Sequence, residues 1–425
     1  MNRLIEMLSS GRGPVWLQAG TLLDGLGAPV RDGHLVYDSG RIRHAGAAAP
    51  AADLLRPGQR GPDAVLPHHT VLPGLIEAHA HLFLEGGEEN PERRADYLKQ
   101  SDADLAARAL PRLRRLLELG VIAVRDAGDR NGTGLALQAR YRAAARELMP
   151  YVDSPGAAIH HRGRYGSFMG RPLEDFPSVE ACVDARIAEG AHRIKLIATG
   201  IINFEAGAVL TQPQMPADEL ARFTAAARAR SRQTFAHCSG NDGVANCIAA
   251  RVDSIEHGFF LDEAQLAQMR DADIGWVPTF APVQFQVDKA EMLGWSPQIR
   301  ANLQRILDGH AASLANAARL GVCVIAGSDA GSHGVPHGWG LLDELRLMEA
   351  AGMSALQVIH AATGAGAARL GFAEDFAVLR AGAKPRFILT EHSPLETVAN
   401  LGRPKCVVFD GAVFAAGDDR AVAGL

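Results

Sequence analysis

The sequence has few cysteines, no excess of positive charge and no long hydrophobic run, and each shortage excludes a class of protein. Its 425 residues contain 5 cysteines without a CxxC pair, which argues against a disulfide framework and against a thiolate zinc site. The net charge of −5 gives no basic surface for nucleic acid. No apolar stretch of about 18 residues and no signal-like start occur, so we expect a cytoplasmic protein that does not contact a membrane.

The composition is that of a globular enzyme. Apolar residues make up 47% of the chain and charged residues 21%, while 45 glycines and 22 prolines are too few for a low-complexity protein. The length suits two or three domains, or one large α/β barrel with an appendage. The 16 histidines are the one unusual count, and their positions carry the functional argument.

The two ends of the chain resemble each other. Short apolar runs separated by turn signals such as Asp24-Gly25 and Asp410-Gly411 indicate strands at both ends. These runs lie near 15–17, 34–37, 41–43, 386–389 and 406–409. We therefore predict one small β-sandwich domain built from residues 1–68 and 381–425.

The centre, residues 69–380, alternates between short apolar runs and longer helical patterns. The eight runs lie near 72–79, 121–126, 151–159, 193–198, 234–238, 253–257, 275–280 and 322–329. Eight strand–helix repeats over roughly 300 residues are typical of a (β/α)8 TIM-like barrel. The alternative α/β arrangement is a doubly wound open sheet.

Candidate ligands follow the predicted strands. His79 and His81 end the first strand, and the period of two places both imidazoles on one face, where they can bind one cation. Lys195 lies among apolar residues of the fourth strand, where a buried ammonium is costly. The fifth, sixth and eighth strands end in His237, His257 and Asp329. Active sites of this fold class lie at the carboxyl ends of the strands, which predicts that these six groups meet.

These motifs resemble those of the amidohydrolase superfamily, especially its imidazolonepropionase-like and Xaa-Pro dipeptidase (prolidase-like) branch. The resemblance covers nearly the whole chain. It is carried by residues 73–81 (PGLIEAHAH), 124–128 (VRDAG), Ile194-Lys195, His237, 256–258 (EHG), 327–331 (GSDAG), 334–338 (GVPHG) and 356–363 (LQVIHAAT).

The resemblance implies a binuclear metal centre and a hydrolytic mechanism. It implies one metal on His79, His81 and Asp329, a second metal on His237 and His257, and a Lys195 carboxylated by CO₂ that bridges them. Two zinc ions or comparable divalent ions would suit these ligands. A metal-bridging hydroxide would then attack the substrate, with Asp329 as general base and acid.

Other residues are candidates for contact with substrate. His337, in the loop beyond Asp329, is predicted to hydrogen-bond substrate or a group behind the ligands. The loop after the third strand offers donors for a substrate carboxylate, and the long loop after Lys195 suits a substrate pocket. The predicted substrate-binding residues are His161, Arg162, Arg164, Tyr165 and Asn203.

We therefore predict a metal-dependent hydrolase of an amide-type C–N bond in a small molecule, such as a dipeptide or an N-acyl amino acid. Aryl-urea, carbamate or lactam hydrolysis on the same site is the first alternative. A mononuclear deaminase or imidazolonepropionase is disfavoured by Lys195, and a non-catalytic relative is disfavoured because every expected ligand is present. The exact substrate, the metal and the oligomeric state stay open, with a homo-oligomer as one option.

Overall fold

The structure, a computed structural model, describes residues 7–8, 13–97, 99–143, 148–402 and 405–416. Within these residues the protein has a mixed α/β fold. None of the described helices is both long enough and apolar enough to span a lipid bilayer.

Fourteen strands lie in the described residues: β1 (Val15–Leu22), β2 (Val30–Tyr37), β3 (Ile42–Gly46), β4 (Ala64–Pro73), β5 (Leu75–Ala80), β6 (Val121–Asp126), β7 (Tyr151–Asp153), β8 (Arg193–Ile197), β9 (Gln233–Cys238), β10 (Ser254–His257), β11 (Gly275–Val277), β12 (Phe387–Thr390), β13 (Lys405–Phe409) and β14 (Ala412–Ala416). The α-helices of the described residues are α1 (Pro91–Tyr97), α2 (Asp102–Glu118), α3 (Thr133–Ala143), α4 (Val179–Ala188), α5 (Ala217–Arg228), α6 (Asn241–Ala249), α7 (Glu263–Asp271), α8 (Ala281–Asp288), α9 (Pro297–Leu320), α10 (Trp339–Ala350), α11 (Ala355–Ala361) and α12 (Gly364–Arg369). Short 3₁₀ helices span Ala52–Leu54, Ser167–Met169, Leu173–Asp175 and Val398–Gly402.

Strands from both ends of the chain share one seven-stranded sheet, with the order β14-β13-β12-β4-β1-β2-β3. Its inner face is apolar and fully buried, as at Leu17, Val71 and Phe387, because alternate residues of a strand point to the same side. Strand β4 continues to Pro73, beyond the predicted boundary at residue 68, and pairs there with β12. The domain limits themselves stay a prediction.

The central strands are parallel and form two further sheets. One has the order β5-β6-β7, and the other has the order β11-β10-β9-β8. Isolated hydrogen bonds connect their ends: Ile159 N donates to Lys195 O at 2.8 Å, and Ile325 N donates to Trp276 O at 2.8 Å. The intervening helices pack on these sheets, as expected for parallel strands with helical crossovers.

The segment predicted as the eighth strand, near 322–329, forms isolated bridges instead of a strand. Val324 pairs with Trp276, and Ala330 pairs with Ala80. Asp329 has a φ of 57°, and a left-handed residue interrupts the extended backbone of a strand. The segment still lies beside β5, because Ala326 O accepts a hydrogen bond from Ala78 N at 3.0 Å.

The longest helix shows how local sequence sets the element boundaries. Ser296 caps the first turn of α9 by accepting a hydrogen bond from Ile299 N at 3.3 Å, and Pro297 suits the first helical position. Gly321 ends the helix with a φ of 79°, a conformation that glycine adopts readily. Leu303 and Leu314 point inward and are fully buried.

Candidate functional site: a histidine cluster at the strand ends

All six predicted metal ligands line one cavity at the carboxyl ends of the parallel strands. The cavity has a volume of about 480 Å³. Strands β5, β8, β9 and β10 and the segment after α9 bring to it His79, His81, Lys195, His237, His257 and Asp329. Residues far apart in sequence therefore meet because each one lies in, just after or beside one of the neighbouring parallel strands.

The backbone of the eighth segment places Asp329 against β5. Asp329 N donates to His79 O at 2.7 Å. A side chain at Gly327 would clash here, since a Cβ would lie 2.8 Å from His79 N. Glu77 adds a further link, because it accepts hydrogen bonds from His79 N at 3.0 Å and from Ser328 Oγ at 2.6 Å. Glycine and two buried polar residues thus fix the distance between the HxH pair and Asp329.

Several polar atoms of the cluster point at one another without a hydrogen bond. Asp329 Oδ1 lies 3.6 Å from His79 Nε2 and 3.4 Å from His81 Nε2. Among the described residues, ligand atoms of His79, His257 and Asp329 lie within 4.8 Å of one another. His79 Nε2, Asp329 Oδ1 and Lys195 Nζ are buried and have no hydrogen-bond partner in that part of the chain. Buried polar atoms are rarely left in this state, so the arrangement fits a divalent metal centre.

The opposite nitrogen of three histidines is held by a neighbour. His79 Nδ1–H donates to Glu256 Oε2 at 2.6 Å, and His81 Nδ1–H donates to Gly128 O at 2.9 Å. His257 Nδ1 is hydrogen-bonded to Thr279 Oγ1 at 2.7 Å. Fixing one ring nitrogen leaves Nε2 of each ring as the atom that can bind a metal.

Glu256 is in turn fixed by a buried arginine. Arg125 Nη2 donates to both Glu256 oxygens, at 2.9 and 2.8 Å, and Arg125 Nε donates to Ala78 O at 2.7 Å. Burial alone would raise the pKa of Glu256, but the Arg125 guanidinium and the hydrogen bond from His79 hold it well below its usual range. Arg125 therefore supports His79 through Glu256.

Burial keeps the imidazoles neutral. It lowers the pKa of His79 to about 4 and that of His257 to about 3, and it lowers the pKa of His237 well below its usual value. Burial also lowers the pKa of Lys195 to about 8. A neutral imidazole and a neutral amine are the forms that bind a metal or react with CO₂.

Asp329, unlike the imidazoles, stays charged. Burial alone would raise its pKa, but the neighbouring imidazoles of His81 and His79 hold the pKa well below the usual range of a carboxyl group. Asp329 is therefore ionised at neutral pH, as a metal ligand and a proton acceptor must be.

His337 lies behind the cluster instead of in the cavity. Its Nε2–H donates to the backbone oxygen of His81 at 3.2 Å, and burial lowers its pKa to about 3. It does not line the cavity. The structure therefore brings His337 to the backbone of a predicted ligand, which is the second of its two predicted contacts, and a contact with substrate stays a prediction.

Most of the predicted substrate-binding residues lie away from the cavity wall. His161 is held between Glu174 at 2.7 Å and Glu219 at 2.8 Å. Arg162 pairs with Asp175, and Arg164 Nη2 donates to Gln212 O at 2.6 Å. These basic side chains bind carboxylates or a backbone carbonyl outside the cavity, and these contacts hold them away from it.

The other two predicted contacts differ from each other. Asn203 lies outside the cavity wall, where its side chain accepts a hydrogen bond from Ala206 N at 2.9 Å. Tyr165 does line the cavity, with its ring 5.0 Å from the His237 ring. Burial raises the pKa of its hydroxyl, so Tyr165 stays a neutral hydrogen-bond donor.

The cavity wall contains residues that the sequence did not single out as functional. It is mostly apolar, with two arginines at its edge, Arg94 and Arg130. The apolar part comes from separate loops and includes Phe83, Leu84, Phe168, Met169, Ile201, Ile202, Phe204, Phe259, Pro282 and Val283. No local pattern joins these positions, so only the folded chain identifies them.

The sequence that forms this site matches a known protein family. The family model described as "Amidohydrolase family" matches residues 70–413, which include all six cluster residues. The chain belongs to the amidohydrolase family. Members of this family are hydrolases that generally use divalent metals, and this amidohydrolase is accordingly a hydrolase with a candidate metal site.

Individual relatives are similar over most of this amidohydrolase. Ochratoxinase from Aspergillus niger is 26% identical over 432 residues, which cover 92% of this chain and 84% of that protein. A crystal structure of a Xaa-Pro dipeptidase with bound methionine matches with a TM-score of 0.78 and 25% identity, over 95% of this chain and all of the other. Phenylurea hydrolase B shares the fold, with a TM-score of 0.75 and 17% identity over 96% of this chain and 98% of the other.

Proposed function

We propose that this amidohydrolase cleaves an amide-type C–N bond of a small molecule at a binuclear metal centre. The observation that carries the proposal is the convergence of unpaired ligand atoms of His79, Lys195 and Asp329 in one apolar cavity. His79, His81 and Asp329 would hold one divalent metal, and His237 and His257 would hold the second. Zinc suits this set of imidazoles and oxygen donors.

Lys195 would link the two metal sites after carboxylation. Its neutral Nζ attacks the carbon of CO₂, and the new N–C bond forms as one N–H proton is released to solvent. As the N–C bond forms, the electrons of one C=O π bond of CO₂ move to oxygen, so the product is an anionic carbamate. It would supply oxygen donors to metals held by the neighbouring histidines and Asp329. The lowered pKa of Lys195 favours this step, because it increases the share of free amine near neutral pH.

The chemistry divides between the metals and Asp329. Bound divalent metals would lower the pKa of a water and polarise the scissile carbonyl. The Asp329 carboxylate accepts the proton of the attacking water and delivers it to the leaving nitrogen, which departs poorly without a proton. Tyr165, a neutral donor on the cavity wall, is placed to hydrogen-bond substrate.

We also propose that the parallel strands close into a (β/α)8 barrel with a β-sandwich built from the chain ends. The hydrogen bond from Ile159 N to Lys195 O supports closure between β7 and β8. On the other side, the segment near 322–329 lies between β11 and β5, since Ile325 N donates to Trp276 O and Asp329 N donates to His79 O. The seven-stranded sheet with strands from both ends supports the second domain.

Metal content and turnover test the function together. Elemental analysis after loading with zinc and bicarbonate should give two metals per chain and a mass increase of one CO₂ on the peptide that contains Lys195. A panel of N-acyl amino acids, dipeptides and phenylureas should show cleavage of the amides. Exclusive cleavage of phenylureas would favour the aryl-urea alternative, and an inactive, metal-loaded protein would contradict the proposal.

The matched variant is Lys195→Ala. We expect it to lose activity and much of the metal, with partial recovery in short-chain carboxylic acids that replace the bridge. Full activity in the Ala variant would contradict the bridging role of Lys195, while leaving amide hydrolysis open.

A further inference from the structure

Two guanidinium groups reach the cavity wall, and they differ in their partners. Arg130 lies 3.4 Å from the Asp102 carboxylate. Arg94 makes no ion pair with a carboxylate among the described residues. It donates instead to two backbone oxygens, Glu85 O at 2.5 Å and Gly331 O at 2.6 Å. Carbonyl oxygens orient a guanidinium without cancelling its charge.

Two carboxylates act on Arg94 through their charge. Burial lowers the pKa of Arg94, and the charges of Asp329 and then Glu85 counteract this shift. Glu85 is engaged elsewhere, because its Oε2 accepts a hydrogen bond from Arg112 Nη1 at 2.9 Å and its Oε1 accepts one from Gly87 N at 3.2 Å. Among the described residues, the hydrogen bonds of Arg94 go to backbone oxygens instead of to either carboxylate, so the guanidinium keeps its positive charge at the cavity wall.

Arg94 also has donors to spare. A guanidinium carries five N–H bonds in one plane. Two of them reach the backbone oxygens of Glu85 and Gly331, which leaves three for another group. The Gly331 contact ties the guanidinium to the loop two residues beyond Asp329, and so fixes it near the proposed reaction centre.

The surroundings of Arg94 suit a substrate that is both apolar and anionic. Phe83 and Leu84, which lie between β5 and α1, form part of the apolar wall. Phe168 and Ile201 also line the cavity and are 47% and 56% exposed, so the apolar wall continues to the solvent, where it can contact an apolar part of a ligand. Of the two guanidinium groups in this mostly apolar wall, Arg94 is the one without a carboxylate hydrogen-bond partner among the described residues. A planar cation beside apolar side chains matches a carboxylate on an apolar body.

We propose that Arg94 binds the carboxylate of the substrate, so that this amidohydrolase selects N-acyl amino acids and dipeptides with apolar side chains over neutral amides. The proposal rests on the amide hydrolysis proposed above and adds the residue that recognises the leaving amino acid. Arg94 is a specificity-determining residue here, because it contacts the part of the substrate that does not react.

A pair of amides that differ only in the carboxylate tests this role. N-(4-nitrobenzoyl)-L-phenylalanine and N-(4-nitrobenzoyl)-2-phenylethylamine both release 4-nitrobenzoate, but only the first has a carboxylate. The wild-type enzyme should prefer the first by about 10- to 100-fold in kcat/KM, which is the span of one charged hydrogen-bonded contact. Arg94→Gln should remove this preference through a higher KM for the acid and leave the neutral amide unchanged.

Two further variants separate recognition from folding. Arg94→Lys keeps the charge without the planar fork and should recover part of the preference. Arg93→Gln is the matched control: Arg93 lies on the same helix, its side chain is 76% exposed, and it pairs with Glu88 at 3.7 Å outside the cavity wall. It should behave as wild type.

Binding without turnover provides an independent measurement. Calorimetry with N-(4-nitrobenzyl)-L-phenylalanine and N-(4-nitrobenzyl)-2-phenylethylamine, which have no amide to cleave, should show the same contrast in Kd. Equal weakening of both ligands in Arg94→Gln, or no wild-type preference, would overturn the assignment of Arg94. Failure to cleave either amide, with the binding contrast intact, would instead contradict amide hydrolysis and leave Arg94 as the carboxylate site.

Discussion

Two groups of polar side chains near the carboxyl ends of the parallel strands differ in whether their polar atoms have hydrogen-bond partners. In the loop after β7, His161 contacts Glu174 and Glu219, and the adjacent arginines also have partners within that loop or the next. In the histidine cluster, by contrast, His79 Nε2 and Asp329 Oδ1 are buried without a hydrogen bond to the described residues. Both groups are rich in histidine and charged residues. The second group differs from the first because some of its buried polar atoms lack a hydrogen-bond partner among the described residues.

The difference shows what identifies a site. A buried polar atom without a partner costs free energy on the order of 1–3 kcal/mol, so a fold keeps several together only where something else binds them. Side chains such as His161, which already have hydrogen-bond partners, need no additional ligand. The unsatisfied atoms, and not the residue types, therefore separate the candidate metal centre from the neighbouring loop.

The largest effect is expected from Asp329→Asn. The amide side chain keeps an oxygen that can bind a metal but removes the base, so turnover of amides should fall by roughly 10²–10⁴ with the metal content unchanged. Activated aryl esters should lose less, because their leaving group departs without a proton. Steady-state kinetics on an amide and an ester, with elemental analysis of the same sample, measures both.

The ester serves as the internal control for this variant. Equal losses on both substrates would reduce Asp329 to a metal ligand, and near-normal amide turnover would contradict the proton-transfer role.

A smaller effect is expected from Glu256→Gln, one contact away from the unsatisfied atoms. The variant weakens the hydrogen bond that fixes His79 Nδ1 at 2.6 Å and leaves Arg125 buried without its carboxylate. We expect a loss of about 10- to 100-fold in metal affinity, as is usual for a group that orients a ligand. Metal dissociation constants, measured by competition with a chelator, report this directly.

Glu263→Gln is the control for Glu256. Glu263 pairs with Arg319 at 2.6 Å, and both side chains are more than half exposed, so its loss should leave metal affinity unchanged. A metal affinity in Glu256→Gln equal to that of the control would show that Glu256 stabilises the fold without orienting His79.

The parts of the site that the sequence predicts well are those fixed by the ends of strands. His79, His81 and Asp329 lie at the ends of predicted strands, which are expected to meet at one edge of the fold, and the structure brings the three residues to one cavity. The family prediction is likewise confirmed by the match over residues 70–413. The ligand roles stay a prediction until metal is measured.

Loops account for the residues that the sequence could not place. Arg162 and Arg164 look like carboxylate binders by composition, but their direction depends on Asp175 and on the Gln212 carbonyl, which approach only in the folded chain. Arg94 has no motif around it, and its position at the cavity follows from two backbone contacts in different loops. Side-chain direction in loops is thus a tertiary property that periodicity does not encode.

The smallest effect on turnover is expected from His161→Gln. This variant tests the loop after β7, where the polar side chains have hydrogen-bond partners. Burial alone would lower the pKa of His161, but its contacts with Glu174 and Glu219 raise it above the usual value. The ion pairs therefore stabilise the fold fully below the pKa of the unfolded chain, and this stabilisation is lost as the pH rises through the higher folded pKa. Partly exposed pairs contribute about 0–1 kcal/mol.

We accordingly expect His161→Gln to lower the free energy of unfolding by up to about 1 kcal/mol at about pH 5.5 and to match wild type at about pH 8.5. Amide turnover per folded molecule should stay within about twofold at both pH values, because His161 does not line the cavity. His44→Gln is the control, since His44 Nε2 is hydrogen-bonded to the Ala48 carbonyl, at 2.7 Å, instead of to a carboxylate. Urea unfolding of the three proteins measures the stability difference. A large loss of turnover in His161→Gln alone would mean that the loop after β7 belongs to the active site, and the distinction between satisfied and unsatisfied groups would no longer locate it.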